Sequence, residues 1–406
     1  MRMFIGAKRG FCPNKPIPKD DPRMTEIQPP TSSTTIATAK IYYLDYCRVL
    51  LTVLVILHHV CIAYGAPGGW YFRQPTTSVP AQFGLTLVVA TNQAFFMGLF
   101  FMLSAYFVEP SYQRKGAVVF VLDRLKRLGI PLLFYSLMLS PVVNFLIYRY
   151  GHHQSATFWQ YLNGYDDWID PGVLWFTAAL LVFTVSYAAL RQLSALQYRM
   201  SLPSLRGMLL FAVGIGLISF LVRLRFPIGW VLHPLGFQLC YFPQYIAFFI
   251  VGVLARQNHW FDQLSDEQGK RFGRLALVLV VGVLPLLLVV SSILREPTTN
   301  YSGGWNWQAL SLSLWEQLTA VTIIVALLTY CKRYWNTHNA YLDKAARCAY
   351  AVYIFHPLVI VALSLLLSEV AVEPMSKLMV VAPLAVIGSF VVGGVVLRFP
   401  GAKQIL

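Results

Sequence analysis

The sequence predicts an all-α, polytopic membrane protein: a helical bundle of about ten transmembrane helices with both termini cytoplasmic. Three observations predict it. The chain is 57% hydrophobic and only 12% charged over 406 residues, too apolar for a soluble domain of that size. Its apolar residues fall into ten runs, each about as long as a helix needs to cross a hydrocarbon core. Its cations are also sorted by side. Of 32 Lys and Arg residues, 25 lie in the N-terminal segment and the connections on its side. Six (Arg73, Arg149, Arg223, Arg225, Arg295 and Lys377) lie in the opposite connections, and Arg48 lies within the first run. Cytoplasmic loops carry the excess of Lys and Arg, which puts both termini in the cytoplasm. The net charge of +15 therefore does not point to a nucleic acid, because the basic residues sit in short runs between apolar segments.

Residues 1–39 are rich in Pro, Lys and Thr with no apolar run, the composition of a disordered cytoplasmic tail. The tail lacks the apolar stretch of a signal peptide, so the first helix is expected to act as an uncleaved insertion signal. An integral membrane domain is expected over 40–400, with spans at 42–64, 84–107, 128–148, 172–190, 207–224, 237–255, 275–294, 312–331, 350–368 and 378–397. Around 207–255, Arg223, Arg225, Pro227, His233 and Pro234 crowd a short connection, and a re-entrant turn is one way to build it. The longest connection on the far side, 149–171, is too short for a second domain. Six scattered cysteines without a CxxC pair point to neither a disulfide framework nor a metal site.

The first run, Tyr42–Tyr64, carries the chemistry-bearing residues. At about 100° per residue, the eleven steps from Arg48 to His59 return to nearly the same face, roughly 16 Å apart along the axis. His58 lies roughly 80° off that line and is expected to face a different neighbour. A cation and an ionisable ring on one stripe of a membrane helix are costly and mark a functional hypothesis. His59 can take a proton from a hydroxyl near neutral pH, or it can be structural glue between helices. Asp45, three residues before Arg48, can pair with it. Arg48 can then fix the helix depth by reaching the headgroups or contact an anionic ligand from the cytoplasm.

Other candidates lie further on. Arg124 and Arg127, in the basic stretch 112–131, share a helix face and suit either donor phosphates or anionic lipid. His356, before Pro357, can contact a ligand or bond a carbonyl freed by the proline. Glu316, at the outer end of the eighth run, can orient or charge-pair with a site histidine, or sit in water at the interface. It is the only acid besides Asp45 within the predicted spans. Gly98, Ser104 and Ala105 in the second run suit close helix contact. The far-side connections are rich in aromatics (Trp70, Tyr71, Trp159, Tyr161, Tyr165, Trp168, Tyr301, Trp305, Trp307) with Asp166, Asp167 and Asp170 among them. That mixture suits sugar rings, but an aromatic membrane belt explains it as well. No GxSxG, HExxH, Walker A or GxGxxG motif occurs.

Asp45-Tyr46-Cys47-Arg48, ten further residues and then His59 resembles the first-helix signature of the acyltransferase-3 family of integral membrane acyltransferases. The likeness continues through FFMGLFFMLSAYF (95–107), DRLKRLGIP (123–131), LWF (174–176), YIAFFIVGVLAR (245–256) and AYAVYIFHPL (349–358), covering roughly 40–400. Within the family it looks most like the succinyl-transferring glucan-modification proteins of type C. Ala105 stands where the family usually has glycine after the serine, and the tandem His58–His59 leaves spacing to choose His59. The resemblance implies transfer of an acyl group, such as acetyl or succinyl, from a cytoplasmic acyl-coenzyme A to a hydroxyl of an extracytoplasmic glycan, lipid or envelope polymer. Donor contacts are then expected from Arg48, Arg124 and Arg127, and catalysis from His59 with Glu316. Asp45, His58, Trp175, Tyr353 and His356 are expected in support. No tightly bound cofactor is implied. Partners would be the inner-membrane bilayer, the acyl donor, the acceptor, and a second copy or an accessory extracytoplasmic protein. A transporter or flippase for an acylated sugar or organic anion is the alternative from another class, with Arg and His as ligand or proton-relay residues.

Overall fold

A computed structural model describes residues 41–193 and 198–405; the tail expected over 1–39 lies outside the described residues. From Ile41 onward the chain forms one compact unit, and no strand occurs among the described residues. Among the described residues, ten helices are long and apolar enough to cross a membrane: α1 (Tyr42–Tyr64), α2 (Val79–Lys115), α3 (Ala117–Gly151), α4 (Gly172–Leu193), α5 (Leu205–Arg223), α6 (Leu239–Gln257), α7 (Asp266–Ile293), α8 (Trp307–Tyr334), α9 (Ala340–Leu366) and α10 (Pro374–Val396). Hydrocarbon offers the backbone no hydrogen bonds, so a span of this kind closes its own ladder as a helix. The protein is a multi-pass, all-α membrane bundle.

The centre of the bundle is α1, α2 and α8. Their most apolar stretches are 61–67% buried, against 22% for α7 and α10, which line the periphery. α1 packs on α2, α8, α9 and α10; α2 also packs on α6; and α8 is flanked by α5 and α7.

Several helices outrun their apolar segments. α7 begins at Asp266 because Ser265 and Gln268 form a reciprocal capping box. α3 begins at Ala117, so most of the basic stretch read as a connection is helical. α5 and α6 are two separate spans joined by residues 224–238. The longer spans also take in acids beyond Asp45 and Glu316. Buried Glu109 of α2 pairs with Arg191 of α4 at 3.0 Å, and buried Asp343 of α9 accepts from the Tyr46 hydroxyl at 2.9 Å.

Prolines within α3 and α7 share one arrangement. Leu125–Gly129, Tyr135–Leu139 and Val278–Val283 are widened π turns, and each directly precedes a helical segment that begins with Pro131, Pro141 or Pro285 near its start. A proline lacks the N–H of the ladder and its ring crowds the carbonyl four residues back. A π turn just ahead absorbs that mismatch without breaking the helix.

Small residues set the closest helix contacts. A Cβ added at Gly252 of α6 would lie 2.2 Å from the Met102 carbonyl oxygen and 2.8 Å from Ala105 Cβ, and one at Gly98 would lie 2.9 Å from Phe248. Gln244 of α6 ties the same three-helix junction, donating to the Ala94 carbonyl at 2.6 Å and to Gln317 at 3.0 Å. Gly252→Ala should therefore force α2 and α6 apart and cost about 1–3 kcal/mol. Gly214→Ala, whose new methyl meets nothing within 4 Å, should be neutral or slightly stabilising. Thermal unfolding of the two variants in detergent checks the contrast.

Candidate active site

The two ends of the Arg48–His59 stripe lie in different surroundings. Near the start of α1, Arg48 pairs with Asp45 at 3.2 Å and donates to the Leu103 carbonyl at 3.2 Å. Its guanidinium lies 4.6 Å from the centre of the Phe107 ring. Arg124 of α3 lies within electrostatic reach of Arg48 and Arg127. Its guanidinium lies over Phe120 at 4.9 Å, and its buried Nε has no hydrogen-bond partner. Arg127 is half exposed and holds Asp123 at 3.2 Å. The three arginines thus gather at the face where α1 begins.

His59 lies toward the other face, and its orientation follows from a proline. Pro357 has no N–H, so the carbonyl of Tyr353, four residues earlier, lacks its helical partner. His356 Nδ1 lies 2.7 Å from that oxygen. A carbonyl only accepts, so the proton is on His356 Nδ1, and in the neutral ring Nε2 is left as an acceptor. His59 Nδ1 lies 3.0 Å from His356 Nε2 and must donate to it. The neutral His59 ring then carries its free lone pair on Nε2, which has no hydrogen-bond partner among the described residues. His356 takes the second of the two roles that the sequence left open, bonding the freed carbonyl, and its other ring nitrogen meets His59.

Aromatic rings enclose the pair. The Trp70 indole stacks on His59 at 4.2 Å and 16°. The connection carrying Trp70 is fastened to its neighbours. Gln74 donates to the Ser368 carbonyl at 3.1 Å, Lys377 donates to Gln74 Oε1 at 3.0 Å, and Thr76 donates to Glu373 at 2.5 Å. His58 packs against Phe96 of α2 at 5.0 Å, and its buried Nδ1 has no partner.

His58 and His59 both border a cavity of about 1150 Å³, together with Trp70, Tyr71, Asp170, Trp175, Tyr241, Tyr245, Glu316 and Tyr353. The connections α1–α2, α3–α4, α5–α6 and α7–α8 contribute to its walls, all on the face where α1 ends. Arg48, Arg124 and Arg127 do not line it. His58 therefore shares the cavity with His59, although the helical wheel points it elsewhere.

Gly172 makes the wall near Asp170 feasible. It has φ +45°, and a Cβ there would lie 2.4 Å from the Tyr71 hydroxyl, which bonds Tyr135 at 2.7 Å. Asp170 accepts from the Gly172 N–H at 2.8 Å. Beside it, partial burial and the charges of Asp170 and Asp166 raise the Asp167 carboxyl above the ordinary range, with His233 opposing.

Glu316 and Tyr353 take partners the sequence did not reveal. Arg223 of α5 holds Glu316 Oε2 at 2.5 Å and donates to Ser313 at 3.0 Å. Both charges are buried, so the carboxylate's charge partner is an arginine rather than a site histidine. The Tyr353 hydroxyl donates to the Val173 carbonyl, while its ring stacks near His356 at 6.0 Å. Trp175 lies against Tyr245 at 5.5 Å. An arginine closing the apolar run LISFLVR was the one sequence signal for Arg223.

The arrangement is that of a membrane helix placing an imidazole at the wall of a large, mostly apolar cavity, with arginines gathered at the opposite face. The profile of the acyltransferase-3 family, described as an acyltransferase domain, matches residues 41–397. The protein belongs to this family. It is similar to glucans biosynthesis protein C of Salmonella paratyphi B, Salmonella dublin and Salmonella enteritidis. Each is 25% identical over 238 residues, covering 55% of this chain and 60% of the relative. No solved structure matches significantly.

Pro357→Ala should test the carbonyl argument. Restoring the N–H lets the helix compete for the Tyr353 carbonyl and loosens His356. The variant should fold at least as stably as wild type and lose activity several-fold, measured as acyl transfer alongside a melting curve. His356→Leu, which removes the acceptor for His59 Nδ1, should lose at least about tenfold.

Proposed function

We propose that the protein is an O-acyltransferase of the inner membrane. It moves an acyl group from a cytoplasmic acyl-coenzyme A to a hydroxyl of an extracytoplasmic glycan, lipid or envelope acceptor. The observation that carries the reading is the Tyr353 carbonyl–His356–His59 chain, which leaves His59 Nε2 as the basic atom beside the cavity. There it takes the proton from the acceptor hydroxyl as the oxygen attacks the thioester carbonyl. The tetrahedral adduct then expels the coenzyme A thiolate, which takes up the proton that His59 received and so restores the neutral ring. One transfer step suffices, and no acylated side chain is required.

The sorting of cations puts the α1 start, with Arg48, Arg124 and Arg127, on the cytoplasmic side. Guanidinium groups are suited to the phosphates of the donor. Roughly 16 Å separates Arg48 from His59 along the helix, a gap the extended pantetheine arm can bridge to bring the thioester to the ring. The cavity is on the acceptor side in this reading.

Coenzyme A release from purified protein in lipid nanodiscs, with a panel of acyl-coenzyme A donors and glycan acceptors, tests the proposal. His59→Ala should lower turnover by about 10²–10⁴, the usual contribution of a general base, and His58→Ala by far less. Arg48→Met should raise the donor KM roughly tenfold, the size of one lost charge-assisted hydrogen bond, while leaving the fold intact. Release from no donor, with or without acceptor, would overturn the donor assignment. Loss in His58→Ala alone would move the base by one residue.

A further inference from the structure

Resting on the reading of the cavity as the acceptor side, we propose that Glu316, positioned by Arg223 behind it, forms a sugar-binding subsite within it. Here the carboxylate holds a pyranose ring of the acceptor rather than taking part in proton transfer. Glu316 and Arg223 are 5% and 1% exposed, so each is costly to bury alone, and of the two Glu316 borders the cavity. Their bonding is lopsided. Arg223 grips Glu316 Oε2 at 2.5 Å, while Oε1 takes no hydrogen bond and is not a closed-off buried atom. Glu316 borders the cavity, so Oε1 is a fixed, charged acceptor offered to whatever fills that space.

Beside it runs an aromatic ledge. Trp175 stacks on Tyr245 at 5.5 Å and 27°, and Tyr245 on Tyr241 at 6.3 Å and 28°. All three border the cavity with Glu316, and Gln238 adds an amide nearby. Arg223 lies 5.4 Å from the Tyr241 ring centre, so the charge pair and the ledge are one unit. A pyranose presents an apolar C–H face, which suits an aromatic face, and an equatorial rim of hydroxyls, which suits a carboxylate and an amide. A long alkyl alcohol would leave Oε1 unpaired, and a buried unpaired acceptor is costly. The arrangement therefore favours a sugar over a simple alkyl alcohol. No hydrogen bond or ion pair joins Glu316 to His59 or His356, so its role is in holding the acceptor.

Binding, which needs no chemistry, separates this inference from the proposed mechanism. The probes are methyl glycosides and di- and trisaccharides of glucose, galactose and mannose, with n-octanol as the comparison. They are titrated against the full-length protein in nanodiscs by calorimetry. Wild type should bind at least one sugar and favour it over n-octanol. The double variant R223M/E316Q removes both charges and leaves no buried ion unpaired. It should bind that sugar at least tenfold more weakly, as should Trp175→Leu. Size-exclusion profiles and melting curves identify any variant that fails to fold, and the other variant then decides. Unchanged sugar binding in the folded variants, binding of no sugar in the panel, or preference for n-octanol would overturn the subsite. Turnover that is insensitive to His59→Ala while sugar binding follows the subsite variants would overturn the mechanism and leave the subsite standing.

Discussion

The site depends on one carbonyl oxygen that the helix cannot use. Pro357 removes the N–H that would have closed the ladder onto Tyr353, and His356 Nδ1 takes the vacant oxygen at 2.7 Å. Because a carbonyl cannot donate, that bond decides where every later proton in the chain lies. The His59 contact at 3.0 Å then has only one sense. An imidazole is thereby oriented by backbone geometry, without a carboxylate in the chain. In a medium with no water to replace a lost partner, such an arrangement is rigid for the same reason that it is costly to break.

The rest of the bundle serves this alignment. The 61–67% burial of α1, α2 and α8 makes the centre of the bundle a fixed frame. Glycine contacts such as Gly252 against Met102 let the helices approach closely enough to hold it. The α1–α2 connection is tied to the α9–α10 corner through Gln74, Lys377 and Glu373, and it carries the indole that stacks on His59. Proline and its π turns let α3 cross in one piece, placing Arg124 near Arg48. The two halves of the proposed reaction are thus separated along one helix, donor charges at its start and base near its end.

Buried charge divides the polar groups by role. Glu109–Arg191 and Arg223–Glu316 are both interhelical ion pairs, yet only the second reaches the cavity, through Glu316. The first fixes α2 against α4. The second also has an oxygen left over, so removing one partner would strand a charge, whereas removing both would chiefly alter what the cavity can hold.

The sequence by itself determined the fold class, the ten spans, the sorting of cations and the common face of Arg48 and His59. These are local properties of hydropathy and helical period, and they need no knowledge of neighbours. The family motifs were legible for the same reason, since they lie within single helices. Span ends at Ala117 and Asp266 were not, because polar helical turns and caps extend a helix beyond its apolar stretch. Only the tertiary structure decided that His356 faces His59 across 297 residues and that Trp70 covers the ring rather than serving only as a membrane anchor. It also decided that Glu316 answers to Arg223, and that His58 shares the cavity despite its angle on the wheel. Each depends on which helices become neighbours and how they are rotated. That outcome is set by small-residue contacts and by the pairing of polar groups in a solvent that cannot pair them, summed over the whole bundle.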